Sequence, residues 1–368
     1  MRIYTRMLGT DDGQWANPAL PCCILCGTRI ECDENARDFF SQVPGLEPNS
    51  VRYKILPEGE LHSMLAEGKC QWKSAYRAIV KPLDGPPIIS GASYRHRSFG
   101  VRGGYTMAVP RRQDTVILAK GIIHPRGEFL WFKEPEQDPS LVEGAQIGWP
   151  IHESCWMMAD KCFRREFIEN NIELFMHALD EEHRRKRADR GINGPIDRES
   201  GNWGFLQRDP MYIPELRQLA QMGLEKYQSS TVAQMNQSTY KGAMTASAFR
   251  ISPGSFSRLP LDIAMEIAGY LSGPDLRRLI IAAQWKFPSI YWKRRIPAVI
   301  FELYEVLARR DIDWQHVGLE YDRLMERTNG IHHRLRLADY LSRIHASCHN
   351  NLGEVFLEEG QFITYVDL

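Results

Sequence analysis

The chain has 368 residues, room for two or three domains at ~150 residues each, so a peptide or a single small scaffold is excluded. Lysine and arginine total 46 and aspartate and glutamate also 46, so the net field of a whole-chain binder of nucleic acid or anionic membrane is absent. Hydrophobic residues at 43% and charged residues at 25% exclude gross disorder and fibrous classes, leaving a globular protein.

Met1 to Trp15 carries Arg2, Arg6, Asp11 and Asp12 with no apolar run behind them, so no secretory leader is expected. Nothing approaches the ~18 consecutive apolar residues of a membrane helix, because Ile296 to Leu307 is interrupted by Pro297, Glu302 and Glu305. A cytoplasmic or nuclear protein is therefore expected, in which close cysteine pairs read as metal ligands or buried thiols before disulfides. Residues 1–50 are turn-rich around one dense cluster, Cys22-Cys23-Ile24-Leu25-Cys26-Gly27. The pattern from Val51 to Lys81 is mixed. Short apolar runs then follow at Thr106 to Val109, Thr115 to Ala119, Gly121 to Ile123 and Phe129 to Phe132, and they predict an antiparallel sheet of modest size. From His152 the texture is helical: Trp156, Phe163, Phe167, Phe175 and Leu179 form a stripe that predicts one long helix ending near Gly191.

Apolar density falls between Gly191 and Ser257, which reads as a polar linker holding one helix over Pro214 to Gln228. From Leu259 onward the period is helical, with stops at Gly273, Pro288, Pro297 and Gly330. The expected fold class is α+β. A zinc-stabilised, treble-clef-like sheet plus long helix (residues 1–190) precedes the linker (191–255), an all-α module (256–297) and a C-terminal helical region (298–368).

Cys23-x2-Cys26 followed by Gly27 has the spacing of a zinc knuckle, in which two thiolates share one ion and glycine permits the turn. One pair leaves a tetrahedral site incomplete. The other tight pair of suitable ligands is His152-x2-Cys155, at a predicted helix start whose positive end favours a thiolate. Cys23, Cys26, His152 and Cys155 are thus the candidate ligands of a structural zinc ion, with Cys22 or Cys32 as alternatives within the first pair. Buried thiols are the competing reading.

In the segment Phe256 to Leu279, Pro260 and Asp262 suit a helix start, and Ile263, Ile267 and Leu271 lie four apart on one face. Ser272 as N-cap with Asp275 three residues on starts a second helix carrying Leu276 and Leu279. Two short amphipathic helices must cover their apolar face against neighbours or another chain. Leu259-Pro260, Ile263, Glu266-Ile267, Tyr270-Leu271, Asp275-Leu276, Leu279 and Trp285 resemble the F-box motif over about forty residues, Phe256 to Pro297. Several further segments, Gly148 to Trp156, Tyr291-Trp292-Lys293-Arg294-Arg295 and Gly330 to Leu337, are similar to the large fungal family of F-box proteins of unassigned substrate. The resemblance implies a three-helix orthogonal module docking on the Skp-type adaptor of a cullin-RING ubiquitin ligase, with an unknown protein recruited for ubiquitination. Leu259, Pro260, Ile263, Ile267, Leu271 and Leu276 would be its adaptor-contacting or module-forming positions. Ala282-Ala283-Gln284 departs from the small polar and basic residues usual before the tryptophan.

Other signals read as structural. His183-Arg184-Arg185-Lys186-Arg187 is flanked by acids and suits a solvated helix end. Arg95 to Arg97, Arg102 and Arg111-Arg112 suit a protected strand edge more than a single-strand binder. Gly100 to Gly104 lacks the phosphate-loop lysine. Cys155 with His152 could suggest a thiol nucleophile and base, but no orienting third group can be placed, so no catalysis is expected. The contrasting class is a zinc-stabilised nucleic-acid-binding or regulatory protein whose helical end is ordinary core.

Overall fold

The computed structural model describes residues 22–31, 53–82, 85–94, 107–119, 129–133, 146–190, 208–240, 259–283, 285–304 and 312–352. The chain divides into two compact units, Met1–Tyr212 with Arg336–Glu358, and Ile213–Leu335 with Glu359–Leu368. The division departs from the four expected segments in two ways: the first helix of the expected linker joins the second unit, and part of the C-terminal region joins the first. Residues 191–207 and 241–255 of that linker, and 256–258 of the following module, lie outside the described residues.

The first unit is built on strands β1 (Tyr53–Pro57), β2 (Ala75–Lys81), β3 (Ile88–Ile89), β4 (Ala92–Tyr94), β5 (Met107–Pro110), β6 (Thr115–Ala119), β7 (Phe129–Lys133) and β8 (Gln146–His152). They form an eight-stranded sheet in the order β1-β6-β4-β2-β8-β7-β5, with β3 also beside β2. The modest antiparallel sheet expected is therefore both too small and too uniform, since β4 runs parallel to β6 and β7 parallel to β8. Expected runs at 106–109, 115–119 and 129–132 appear as β5, β6 and β7, whereas Gly121 to Ile123 falls outside the described residues. Strand β2 escapes sequence reading because Ala75 to Val80 is buried on both faces, so no polar alternation marks it. The sheet curls until β5 lies against β4, where Tyr76 and Ser93 hydroxyls both donate to the Ala108 carbonyl at 3.2 and 2.8 Å. Tyr76, Ala78, Val80, Met107, Val109, Leu130, Phe132 and Ile30 fill the resulting core. Gly91 sits where β4 meets this turn. A Cβ there would lie 2.2 Å from the Arg112 carbonyl oxygen, so only glycine fits.

Helix α1 (Glu58–Ala66) follows β1, and α2 (Glu153–Phe163), α3 (Arg165–Asn170) and α4 (Ile172–Arg190) follow β8. The single long helix expected there is three. Arg164 takes φ of +63° while its N–H closes on the Asp160 carbonyl, ending α2, and Asn171 ends α3. Phe163 lies 6.0 Å from Phe167, and the bends let it meet Phe175 edge-on at 5.4 Å, twelve residues on, which a straight rod would hold about 18 Å away.

The second unit holds α5 (Pro214–Tyr240), α6 (Leu261–Gly269), α7 (Gly273–Ala283), α8 (Ser289–Arg295), α9 (Phe301–Tyr304), α10 (Trp314–Arg327) and the first turns of α11 (Asn329–Leu352). Helix α5 runs twelve residues beyond the Gln228 expected. Trp292 is fully buried and lies so close to Gly318 that a Cβ there would stand 2.2 Å from its ring. Arg277 donates to Glu320 at 2.7 Å and Arg295 to Asp322 at 3.1 Å, tying α7 and α8 to α10. Among the described residues, no helix is long and apolar enough to cross a membrane.

Candidate metal centre and apolar groove

The chain around Cys23 turns tightly because the Gly27 N–H returns to the Cys23 carbonyl at 2.8 Å with Gly27 at φ of +77°, and the Cys23 N–H reaches the Thr28 carbonyl at 2.8 Å. Pro150 in β8 lies past the end of the β7 pairing, and its carbonyl accepts from the Ile24 N–H at 2.9 Å. The knuckle is thereby fastened to the strand that ends at His152. The next residues open α2, which places Cys155 in its first turn beside the positive helix end.

Cys23, Cys26, His152 and Cys155 are all buried, and their Sγ and ring nitrogen atoms lie within 4.8 Å of one another. A tetrahedron with Zn–S bonds of ~2.3 Å has an edge of ~3.8 Å, so the spacing fits that ion. Cys26 Sγ lies 3.3 Å from His152 Nδ1, and His152 Nε2 lies 3.3 Å from the Arg29 carbonyl. A carbonyl only accepts, so the ring proton sits on Nε2 and Nδ1 turns its lone pair to the sulfurs. The Thr28 hydroxyl lies 2.9 Å from Cys26 Sγ, the His152 N–H donates to Cys23 Sγ at 3.3 Å, and Trp72 meets the imidazole edge-on at 4.8 Å. These contacts fix Cys23, Cys26 and His152 in place without an ion.

The electrostatics point the same way. Burial opposes charge on every thiol, but hydrogen bonds from Cys155, from Cys26 and from backbone N–H groups outweigh it at Cys23, whose thiol is held well below the ordinary range. Cys26 is brought down to about 7 against the same burial, chiefly by its hydrogen bond with Cys155. Cys155 is pushed well up by burial and by its two sulfur neighbours. A divalent cation is the group whose charge would let all three ionise together. Cys155 is fully buried and held toward its protonated form, in which a thiol is a poor nucleophile. Cys22 is outside the cluster, bridging to Arg29, and Cys32 lies outside the described residues.

One network beside the centre was not foreseen. Arg77, fully buried in β2, donates to Glu153 Oε2 and Oε1 at 2.8 and 2.6 Å, and its guanidinium lies 5.1 Å from the Trp156 ring. His62 Nε2 meets Glu153 Oε1 at 2.8 Å, while Arg165 pairs with Glu58 at 2.9 Å. Burial would raise the Glu153 carboxyl, but Arg77 and His62 overcome it and bring it to about 2. Glu58, His62 and Glu153 could by distance hold an ion. Arg77 and Arg165 already occupy their oxygens, so the group serves as a brace that pins the first turn of α2 onto the sheet. An arginine in the middle of the run Ala75 to Val80 is the signal that could have revealed it.

In the second unit, α6 and α7 leave an open groove of about 410 Å³ lined by Ile267, Leu271, Leu279, Ala282 and Trp285, with Asp275 and Arg278 at its rim. Ile263 is 46% exposed, Tyr270 82% and Ile281 70%, and Leu261 and Ile267 on α6 are exposed too. Leu259 and Leu271 are half-buried and Pro260 is exposed. Leu276 is fully buried and faces inward, so it forms the module and is no contact for another chain. The Ser272 hydroxyl accepts from the Asp275 N–H at 3.4 Å and donates to its carboxylate at 2.7 Å, the expected cap. The basic run in α4 is partly paired, Arg184 with Asp180 and Arg185 with Glu182, as a solvated helix face would be. Gly100 to Gly104 and Arg95 to Arg102 lie outside the described residues. No family model matches the chain, and neither a curated protein nor a solved structure matches it.

Proposed function

We propose that the protein is a non-catalytic receptor that docks through α6 and α7 on a Skp-type adaptor of a cullin-RING ubiquitin ligase and holds a protein substrate for ubiquitination. The observation that supports this reading is the exposed apolar face: Ile263, Ile267, Tyr270 and Ile281 stay open beside a groove floored by Leu271, Leu279 and Trp285, on helices too short to cover them. The F-box resemblance assigns that surface its partner. Function would follow from proximity, since the receptor raises the local concentration of substrate without breaking a bond. In the same reading Cys23, Cys26, His152 and Cys155 hold a structural zinc ion, because four protein ligands leave no open position for water or substrate.

Copurification of the full chain with the adaptor tests the docking. Ile263→Glu with Ile267→Glu should abolish capture; because the two side chains are only 46% and 36% exposed, cooperative thermal unfolding of the variant checks that it still folds. Full-strength capture by that variant refutes it, and salt-dependent binding to DNA or RNA without capture would favour the nucleic-acid class instead. Metal analysis tests the centre: about one equivalent of zinc, reduced by Cys26→Ser, is expected.

A further inference from the structure

His345 and His349 stand one turn apart on α11, both half-buried, and their Nε2 atoms converge to 3.2 Å. The ring centroids are 4.4 Å apart and the planes cross at 57°, so the two nitrogens meet at a point while the rings diverge. Two ligands of a tetrahedral ion with metal–nitrogen bonds of ~2.05 Å are separated by ~3.3 Å. We propose that His345 and His349 form a second metal site, a two-imidazole clamp for a borderline divalent ion of the zinc, nickel or copper class.

Two features argue for it. The spacing of four residues puts both rings on one helix face, the arrangement by which helices present paired imidazoles to a metal. Phe163 meets His345 edge-on at 5.0 Å and Phe167 stacks on His349 at 5.9 Å, so aromatic walls from α2 and α3 fix both ring orientations. Imidazole suits the borderline ions over magnesium or calcium. With two protein ligands and a half-open position, water completes the coordination shell, and the ion exchanges more readily than one held at the four-ligand centre.

Equilibrium dialysis of the full chain against zinc alone tests the site. Wild type should bind one equivalent more than His345→Gln or His349→Gln at the same free zinc, and each variant should hold that equivalent at least about tenfold more weakly. Cys26→Ser should keep it while losing the other, so failure of the cysteine centre and failure of this site are separate results. Cooperative thermal unfolding of each variant confirms its fold, and His349→Gln, packed less closely, carries the test if His345→Gln melts. Zinc binding by both histidine variants equal to wild type overturns the proposal and leaves a plain hydrogen bond between the two Nε2 atoms.

Discussion

Replacing Arg77 by methionine keeps the length of the side chain and its packing on Trp156 but leaves the completely enclosed Glu153 carboxylate to His62. Two routes give the cost. Bringing that carboxyl from 4.5 to about 2 corresponds to about 3 kcal/mol at ~1.36 kcal/mol per pH unit, and breaking a buried ion pair from one side costs ~3–5 kcal/mol. At ~2–4 °C per kcal/mol for a unit of this size, Arg77→Met should lower the melting temperature of the first unit by ~6–12 °C in scanning calorimetry at pH 7. Glu153→Gln added to Arg77→Met should restore part of the loss, because an amide needs no cation. The pH dependence has a definite sign. A carboxyl depressed by folding stabilises above its unfolded value of 4.5, and that contribution fades as the pH falls through about 2. The melting curves of wild type and Arg77→Met should therefore converge in acid. A shift below ~2 °C at pH 7, or a double variant no more stable than the single, would refute the brace.

Three further outcomes follow from the same geometry. Thr28→Val removes the hydroxyl beside Cys26 Sγ and should weaken zinc binding by ~10-fold or more in competition with a chromophoric chelator, with Thr28→Ser close to wild type. Leu276→Ala should destabilise the helical unit by ~2–5 kcal/mol in denaturant titration, whereas Ile281→Ser should change stability by less than ~0.5 kcal/mol. Gly318→Ala pushes a methyl into the Trp292 ring and should cost ~1–3 kcal/mol, visible as altered tryptophan fluorescence and a lower denaturation midpoint.

The sequence made some of this architecture readable and hid the rest for identifiable reasons. Ligand spacing is local, so Cys23-x2-Cys26 and His152-x2-Cys155 were visible as pairs, and the structure gathers the same four side chains into one cluster. The helix starts at Leu261 and Gly273 were legible from Pro260, Ser272 and Asp275, whose capping chemistry acts within one turn. Strand β2 was not legible, because a strand covered on both sides carries no period. Nor was the breaking of the helix after His152: the aromatic stripe predicts helix throughout, and it is divided at Arg164, by a positive φ that no glycine announces, and again at Asn171. Partners distant in sequence, Arg77 with Glu153 and His345 with the Phe163 ring, have no local signature at all.

The knuckle has a history in time as well as a place in space. Cys26 meets His152 across 126 residues of chain, so the pocket that shelters its sulfurs does not exist until β8 has been synthesised. At ~5–20 residues per second, Cys23 and Cys26 wait ~6–25 s on a nascent chain with nothing to close over them. For that interval the thiols are open to oxidation, to stray metal and to each other. Once β8 arrives, closing so long a loop removes about 5 kcal/mol of chain entropy from the unfolded state if the clasp is held by an ion as a cross-link would be. The knuckle is thus made well before the strand that secures it.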